Sequence, residues 1–445
     1  MNGVALNAQA VVVAALLVHQ MSRTWERGLR ELGYNHAPVF AVHMPDWATA
    51  ACQALALPLS LTAALWSDSA PMRTAGVALT VLWVFSVQQR LANHAWLGGV
   101  SAVAFAVAPA HLVPVIARDL LAGVYLSAAL FKLHGEYLFS SRSAGRVVLA
   151  FYFKLLGLRP NRFQLRWLPG GVVLVELAAG ILLLTPHGLL PALLISIAMH
   201  TVFGVSGNFP FSIVALALWS LVMSPRSGHL VLPGALDNTW WAVPGFALLG
   251  LALGRTARGS RSAGIMVKDT VLGAVFGLLC TAALSGPGPT PEDGGPATVV
   301  HFVVGALFLV NCGLVVTGVK LEWSFAMFSS LRPFGRSWLQ RGGRSNRPRY
   351  YLLTLPERLP KTLLRSVPAD FLYQSTRGTH AVHEAVAHRL EDTAAKHGLT
   401  FQPMQVVPSA DFSTLVPAES PSAPCRTVLL FPAIIPKDFS QHYLG

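Results

Sequence analysis

Apolar positions in this chain come in long blocks rather than in alternation. Eleven blocks, at roughly 3–20, 47–66, 73–89, 95–110, 113–133, 170–186, 188–205, 209–224, 239–254, 270–286 and 297–319, carry few charges. A helix crossing the hydrocarbon core of a bilayer needs about 20 such residues, because lipid offers backbone amides no partner. The pattern predicts an all-α polytopic membrane bundle of about eleven transmembrane helices. Pro109 and Pro114 divide the fourth block from the fifth. From residue 350 the pattern changes. Residues 350–355, 401–407 and 426–435 read as strands, 379–397 as a helix, and the Pro/Ser-rich stretch 408–424 as a loop. This predicts a small C-terminal α/β soluble domain over 350–445. The membrane part divides into N-terminal helices (1–87), a core (88–225), and C-terminal helices with a basic linker (226–349).

Composition narrows the class. Of 445 residues, 53% are hydrophobic and 12% charged. Soluble domains carry about 25% charged residues, and disordered chains are poor in apolar ones. An ordinary soluble enzyme and a disordered protein are both excluded. Cys52, Cys280, Cys312 and Cys425 form no CxxC pair, which argues against a disulfide framework or a zinc site.

The net charge of +13 is explained by its placement. Segment 138–169 holds six basic residues and no acid, 255–268 holds four and no acid, and 320–350 holds seven against Glu322. With eleven spans these blocks share one side, which the positive-inside rule makes cytoplasmic. Arg23, Arg27 and Arg30 follow the first block and none precedes it, so the N-terminus is expected outside and the C-terminus inside. A multi-pass protein of a bacterial cytoplasmic membrane, with no nucleic-acid partner, accounts for the excess. Segment 138–169 alternates cations with Val, Leu, Phe and Tyr, as does a helix lying on anionic lipid.

Ionisable residues at lipid depth cost about 2.5–3.5 kcal/mol each on insertion scales and call for a reason. His94 (beside Asn93), Lys132, Glu176, His200 and Asn208 fall in the cytoplasmic halves of four consecutive spans, so one shared cluster is geometrically open to them. His19 ends the first span and His301 opens the eleventh. Each has a plainer reading: Lys132 snorkelling to the interface, Glu176 paired with Lys132 or Arg118, the imidazoles bonded to backbone carbonyls, Asn208 capping a helix. Gly250/Gly254 and Gly273/Gly277 match the GxxxG pattern of close helix packing. His383 and His388 stand five residues apart, which fails the HExxH spacing.

Four stretches carry a family resemblance. They are Asn93-His94-Ala95-Trp96-Leu97; Arg118 through Tyr125 to Lys132-Leu133; Gly170 through Glu176 to Gly180 with Thr185-Pro186; and His200 followed by Phe209-Pro210-Phe211-Ser212-Ile213. In this order the region 88–225 resembles the membrane domain of vitamin K-dependent gamma-carboxylases and their HTTM (horizontally transferred transmembrane) relatives. The resemblance implies an integral membrane enzyme. Lys132 would deprotonate reduced vitamin K or a related quinol, with O2 and CO2 as co-substrates, and His94 would assist. The oxidised quinol's strong base would then remove a γ-proton from an acidic side chain, and CO2 would trap the carbanion. Glu176, His200, Asn208, Asn93 and Tyr125 would line the cofactor pocket. Partners would be membrane lipid and an acidic peptide or lipid-linked substrate. A membrane transporter, or a scaffold binding a partner through its C-terminal domain, are the competing readings of the same residues.

Overall fold

The architecture comes from a computed structural model of the full chain. It describes 5–27, 44–66, 69–87, 93–140, 161–204 except 186, 209–224, 229–231, 241–256, 263–286, 288, 295–317, 349–354, 380–384, 402–406, 415–417 and 434–436, with scattered positions in 143–159 and 387–398. Helices occupy the predicted apolar blocks: α1 (Ala8–Arg27), α2 (Asp46–Leu65), α3 (Ala70–Ser86), α4 (Asn93–Val107), α5 (Val113–Lys132), the short α6 (Gly135–Phe139), α7 (Arg162–Leu183), α8 (Leu189–Phe203), α9 (Phe209–Val222), α10 (Ala242–Thr256), α11 (Ala263–Ser285) and α12 (Gly295–Val316).

The expected count of eleven spans is corrected here. Among the described residues, five helices are long and apolar enough to cross a bilayer: α2, α5 with the turn before it, α7, most of α11 and α12. Length is the physical reason. At 1.5 Å per residue, helices of 14–17 residues such as α3, α8 and α9 reach about 21–26 Å, short of a core about 30 Å thick. The case of α9 is different in kind. Nearly all of it is buried by protein, from Phe211 to Val222 without a break, so its hydrophobicity serves packing rather than lipid. The chain is nonetheless built as a multi-pass membrane protein. Helix α12 shows why: Val299, Phe302, Leu307, Leu309 and Val310 are all exposed, an apolar face that only lipid tolerates over this length.

Local chemistry sets several boundaries. α4 stops at Val107, Pro109 opens a 3-10 turn over Ala110–Leu112, and Pro114 stands in the first turn of α5, where its missing N–H costs nothing. Helix α7 starts eight residues before the predicted span. Asn161 and Gln164 form a reciprocal capping box that fixes its first turn. Its buried residues, Pro169, Val173, Glu176, Ala179, Gly180 and Leu183, recur at three- and four-residue steps and make one stripe against α5. The sequence places Lys268 at the end of the basic segment 255–268 between two apolar blocks. It lies instead inside α11, buried and paired with Asp269 at 3.1 Å.

Helix ends sort onto two faces. Strand β1 (Ala5–Asn7) pairs antiparallel with β2 (His229–Val231), the Asn7 amide donates to the Ala64 carbonyl, and the Gly288 N–H donates to the Met223 carbonyl at 3.2 Å. The N-terminus and the ends of α2, α9 and α11 therefore share one face. Toward the other face, Gln53 in the first half of α2 donates to the carbonyl of Ser86 at the end of α3. The expected close packing at the glycine pattern is present between α10 and α11. A Cβ on Gly250 would strike the Asp269 backbone, and one on Gly273 or Gly277 would strike the Phe246 or Ala242 backbone.

The C-terminal part holds a five-stranded antiparallel sheet in the order β6-β5-β3-β4-β7, from β3 (Tyr350–Thr354), β4 (His380–His383), β5 (Gln402–Val406), β6 (Leu415–Pro417) and β7 (Ile434–Pro436). Three expectations change. The helix expected from 379 opens as strand β4, because His380–Val382 pair with β7 and Val382–His383 with β3. The loop expected over 408–424 contains β6, paired with β5. The strand expected over 426–435 is seen only at its end, in β7; residues 426–433 lie outside the described residues.

Two outcomes follow from this packing. Gly273→Val is expected to lower the stability of the detergent-solubilised protein by about 1–3 kcal/mol, read as a fall in its thermal midpoint, whereas Gly305→Ala, with nothing within 4 Å of the added carbon, leaves it unchanged. In the sheet, Tyr350 and His383 face each other with ring centroids 5.5 Å apart, and burial pushes the His383 imidazole down from 6.5 to about 4. The unfolded imidazole takes up a proton below about pH 6.5 and the folded one does not until about pH 4. Stability contributed above pH 6.5 is thus lost as pH falls through that window, on the order of 3 kcal/mol in full. Amide exchange protection of Tyr350–Thr354, corrected for intrinsic rate, is expected to drop between pH 7.5 and 5, and His383→Phe to flatten the drop.

Candidate functional site

Helix α5 is the axis of the site. It is buried along most of its length and packs against α7, α9 and α12. Tyr125 and Lys132, seven residues apart, lie on nearly the same face, since two helical turns separate them. Asp119 lies about 20 Å from Lys132 along the axis.

Lys132 and Glu176 meet in a doubly bonded ion pair. The Nζ donates to Oε1 at 2.8 Å and to Oε2 at 2.9 Å, and also to the Ala128 carbonyl at 3.3 Å. The two side chains are only 1% and 3% exposed, which rules out the snorkelling reading of Lys132. Tyr137 of α6 closes over the amine, its ring centroid 6.0 Å from Nζ, and is itself buried. A buried charge unmatched in this way would be costly, and the bidentate pair offsets part of that cost.

Two turns back along α5, a second polar group forms. The Trp219 indole N–H donates to the Tyr125 hydroxyl oxygen at 3.1 Å, and Tyr125 lies 2.8 Å from His200 Nε2. Indole nitrogen only donates. Tyr125 and His200 share one hydrogen bond in which either group donates, according to the imidazole tautomer. The other ring nitrogen, Nδ1 of His200, is buried with no hydrogen-bond partner. Phe203 and Phe211 pack about the ring at 6.0 and 5.2 Å.

His94 is placed elsewhere. Its Nε2 lies 3.0 Å from Nδ1 of His19, with the rings edge to face at 4.4 Å. Phe211 bridges the two groups, 6.3 Å from His94 and 5.2 Å from His200. Asn93 opens α4 with its Oδ1 buried and unbonded. Asn208 lies outside the described residues. The structure thus joins Lys132 to Glu176 and Tyr125 to His200, and it joins His94 to His19 rather than to the amine or the carboxylate.

Two groups escaped the sequence reading. His19 was noted only as a span end, although the alternation of spans already put it on the face of His94. Asp119 was passed over beside Arg118. It accepts from His301 Nδ1 at 2.6 Å, while Arg118 donates to His301 Nε2 at 3.1 Å. The start of α5 and the start of α12 share a face, so span parity allows this pairing without fixing it. Arg118 is thereby committed away from Glu176.

No family model matches the chain, and neither a curated protein nor a solved structure shows significant similarity to it. Among the described residues no group of three or more His, Cys, Asp or Glu side chains is arranged to hold a metal ion. The chemistry open to the site is proton movement among an amine, a carboxylate, a phenol and imidazoles in a water-poor interior.

Breaking the ion pair from one side is expected to destabilise strongly. Lys132→Met alone strands a buried carboxylate and should cost about 3–5 kcal/mol, whereas Lys132→Met with Glu176→Leu should recover most of it. Thermal midpoints of the three proteins in one detergent decide this; equal losses in the single and double variants would rule out a pair held by its own charges.

Proposed function

We propose that the chain is a membrane-embedded enzyme of the gamma-carboxylase type, in which the Lys132–Glu176 pair takes a proton from a lipid-soluble quinol. The observation that carries this reading is the enclosed, bidentate pair on facing helices. The region 88–225 adds its resemblance to that family.

An amine acts as a base only when neutral. Transfer of one proton from Lys132 Nζ to Glu176 turns the pair into two neutral groups with no change in net charge, a step that an apolar surrounding favours. The neutral amine then accepts the proton of a quinol hydroxyl, and the ammonium so formed stays beside the quinol anion. In the overall reaction one quinol and one O2 give an epoxide and water. A C–H bond at the γ-carbon of an acidic side chain breaks, a C–C bond to CO2 forms, and the proton leaves to solvent. Exclusion of water by Tyr137 and the flanking helices protects a strong base from quenching. Tyr125, His200 and Trp219 supply a hydrogen-bonded polar group two turns away. The acid-free basic segment 138–169, which follows this end of α5 directly, favours a cytoplasmic side for it.

Purified protein in nanodiscs, given reduced vitamin K, O2 and bicarbonate, is expected to form epoxide, and Lys132→Ala to lower the rate by about 10²–10⁴-fold, the span of general-base effects. Wild-type protein that oxidises no quinol above the uncatalysed rate defeats the proposal. If the same wild type instead moves a solute across proteoliposomes, and Lys132→Ala stops that flux, the transporter reading replaces it.

A further inference from the structure

We propose that the entrance of α7 is a binding site for an anionic phospholipid. The phosphate would lie between Arg162 and Arg166, with an acyl chain running down the outer ridge of the helix. This is independent of the enzymatic reading.

The first two turns of α7 differ from the rest of the helix. Arg162, Phe163, Arg166 and Trp167 are all exposed, with Phe163 at 71% and Trp167 at 59%. At steps of one and four residues they form one outward stripe. Phe163 and Trp167 pack on each other with centroids 6.1 Å apart, and the Arg166 guanidinium lies 6.0 Å from the Trp167 ring. Below them the same outer arc continues as Leu174 and Ile181, both exposed. From Trp167 to Ile181 the rise is about 21 Å, most of the hydrocarbon depth of one bilayer. Cations, then aromatic rings, then aliphatic side chains is the order in which a bilayer presents phosphate, glycerol region and acyl chain.

Charge decides the headgroup. The stretch 138–169 has no Asp or Glu, so its cations have no local carboxylate. Among the described residues no ion pair involves Arg162 or Arg166. Arg159 is exposed just before the cap, and the Nε of Arg146 is buried with no hydrogen-bond partner. A guanidinium recognises phosphate through two parallel N–H donors. The capping box at Asn161 and Gln164 holds the first turn, so both arginines are presented from a fixed helix rather than a loose loop. The apolar ridge beside them supplies what a soluble anion lacks a use for, and this favours a lipid over free phosphate.

The test uses the full chain released from nanodiscs of equal phosphatidylglycerol and phosphatidylcholine, with retained lipid read by native mass spectrometry. The wild type is expected to retain phosphatidylglycerol preferentially. Arg162→Gln with Arg166→Gln should reduce that preference by about 10–30-fold, since each cation at the surface contributes about 1 kcal/mol. Arg162→Lys with Arg166→Lys should keep most of it, which separates lost charge from a damaged helix. Arg73→Gln, an exposed cation at the start of α3, should leave it unchanged. Three results would overturn the proposal: a wild type with no headgroup preference, a Gln variant that keeps the wild-type preference, or displacement of phosphatidylglycerol by millimolar inorganic phosphate.

Discussion

A charged amine enclosed among apolar helices has to be matched, and the match between Lys132 and Glu176 organises much of what surrounds it. The pair ties the last turn of α5 to the middle of α7 at 2.8 Å. It requires α7 to present one face inward over most of its length, which the stripe from Pro169 to Leu183 does. It requires a cover at the helix end, which α6 supplies through Tyr137. In a medium of low dielectric the attraction is strong but the desolvation is costly, so geometry decides whether the pair holds. Both oxygens engaged by one amine is the geometry that succeeds.

The same rule repeats along α5 with different partners. Asp119 is answered by His301 from α12, Tyr125 by His200 from α8 and Trp219 from α9, and Lys132 by Glu176 from α7. Asp119 and Ser127 bond α12, Tyr125 bonds α8 and α9, and Lys132 bonds α7, so polar groups tie the central helix to four neighbours while the apolar ones supply most of the burial. Helix α12 depends on this most. It leaves a wide apolar face to lipid and is held by the Asp119 contact and by Phe308, which occupies the space a side chain at Gly123 would need. Outer helices face lipid and inner helices such as α9 face protein, although both read as uniformly hydrophobic.

Uniform hydrophobicity therefore hides two different surroundings in this fold. Hydropathy located the helices, because any backbone buried in lipid or in a dry core must bond internally and be apolar outside. It did not separate α9, wrapped by neighbours, from α12, bathed in lipid, since the two solvents are equally apolar. In the C-terminal part, the Ala- and Glu-containing stretch 379–397 reads as a helix, and pairing with β3 and β7 makes His380–His383 a strand instead. Strand structure of this kind is decided by partners distant in the chain.

For the site, the sequence alone determined which residues needed a reason. Lys132, Glu176, His94 and His200 stood out because polar groups are expensive at that depth, and span parity restricted which of them were able to meet; Tyr125 entered only through the family resemblance. Only the tertiary structure decided the pairings. It gave Glu176 to Lys132 rather than to Arg118, and it gave His94 to His19, a residue seventy-five positions away. Parity fixes the leaflet but not the azimuth of a helix about its axis, and hydrogen bonds of 3 Å depend on that azimuth. Azimuth is set by packing against every neighbour at once, which no local stretch of sequence contains.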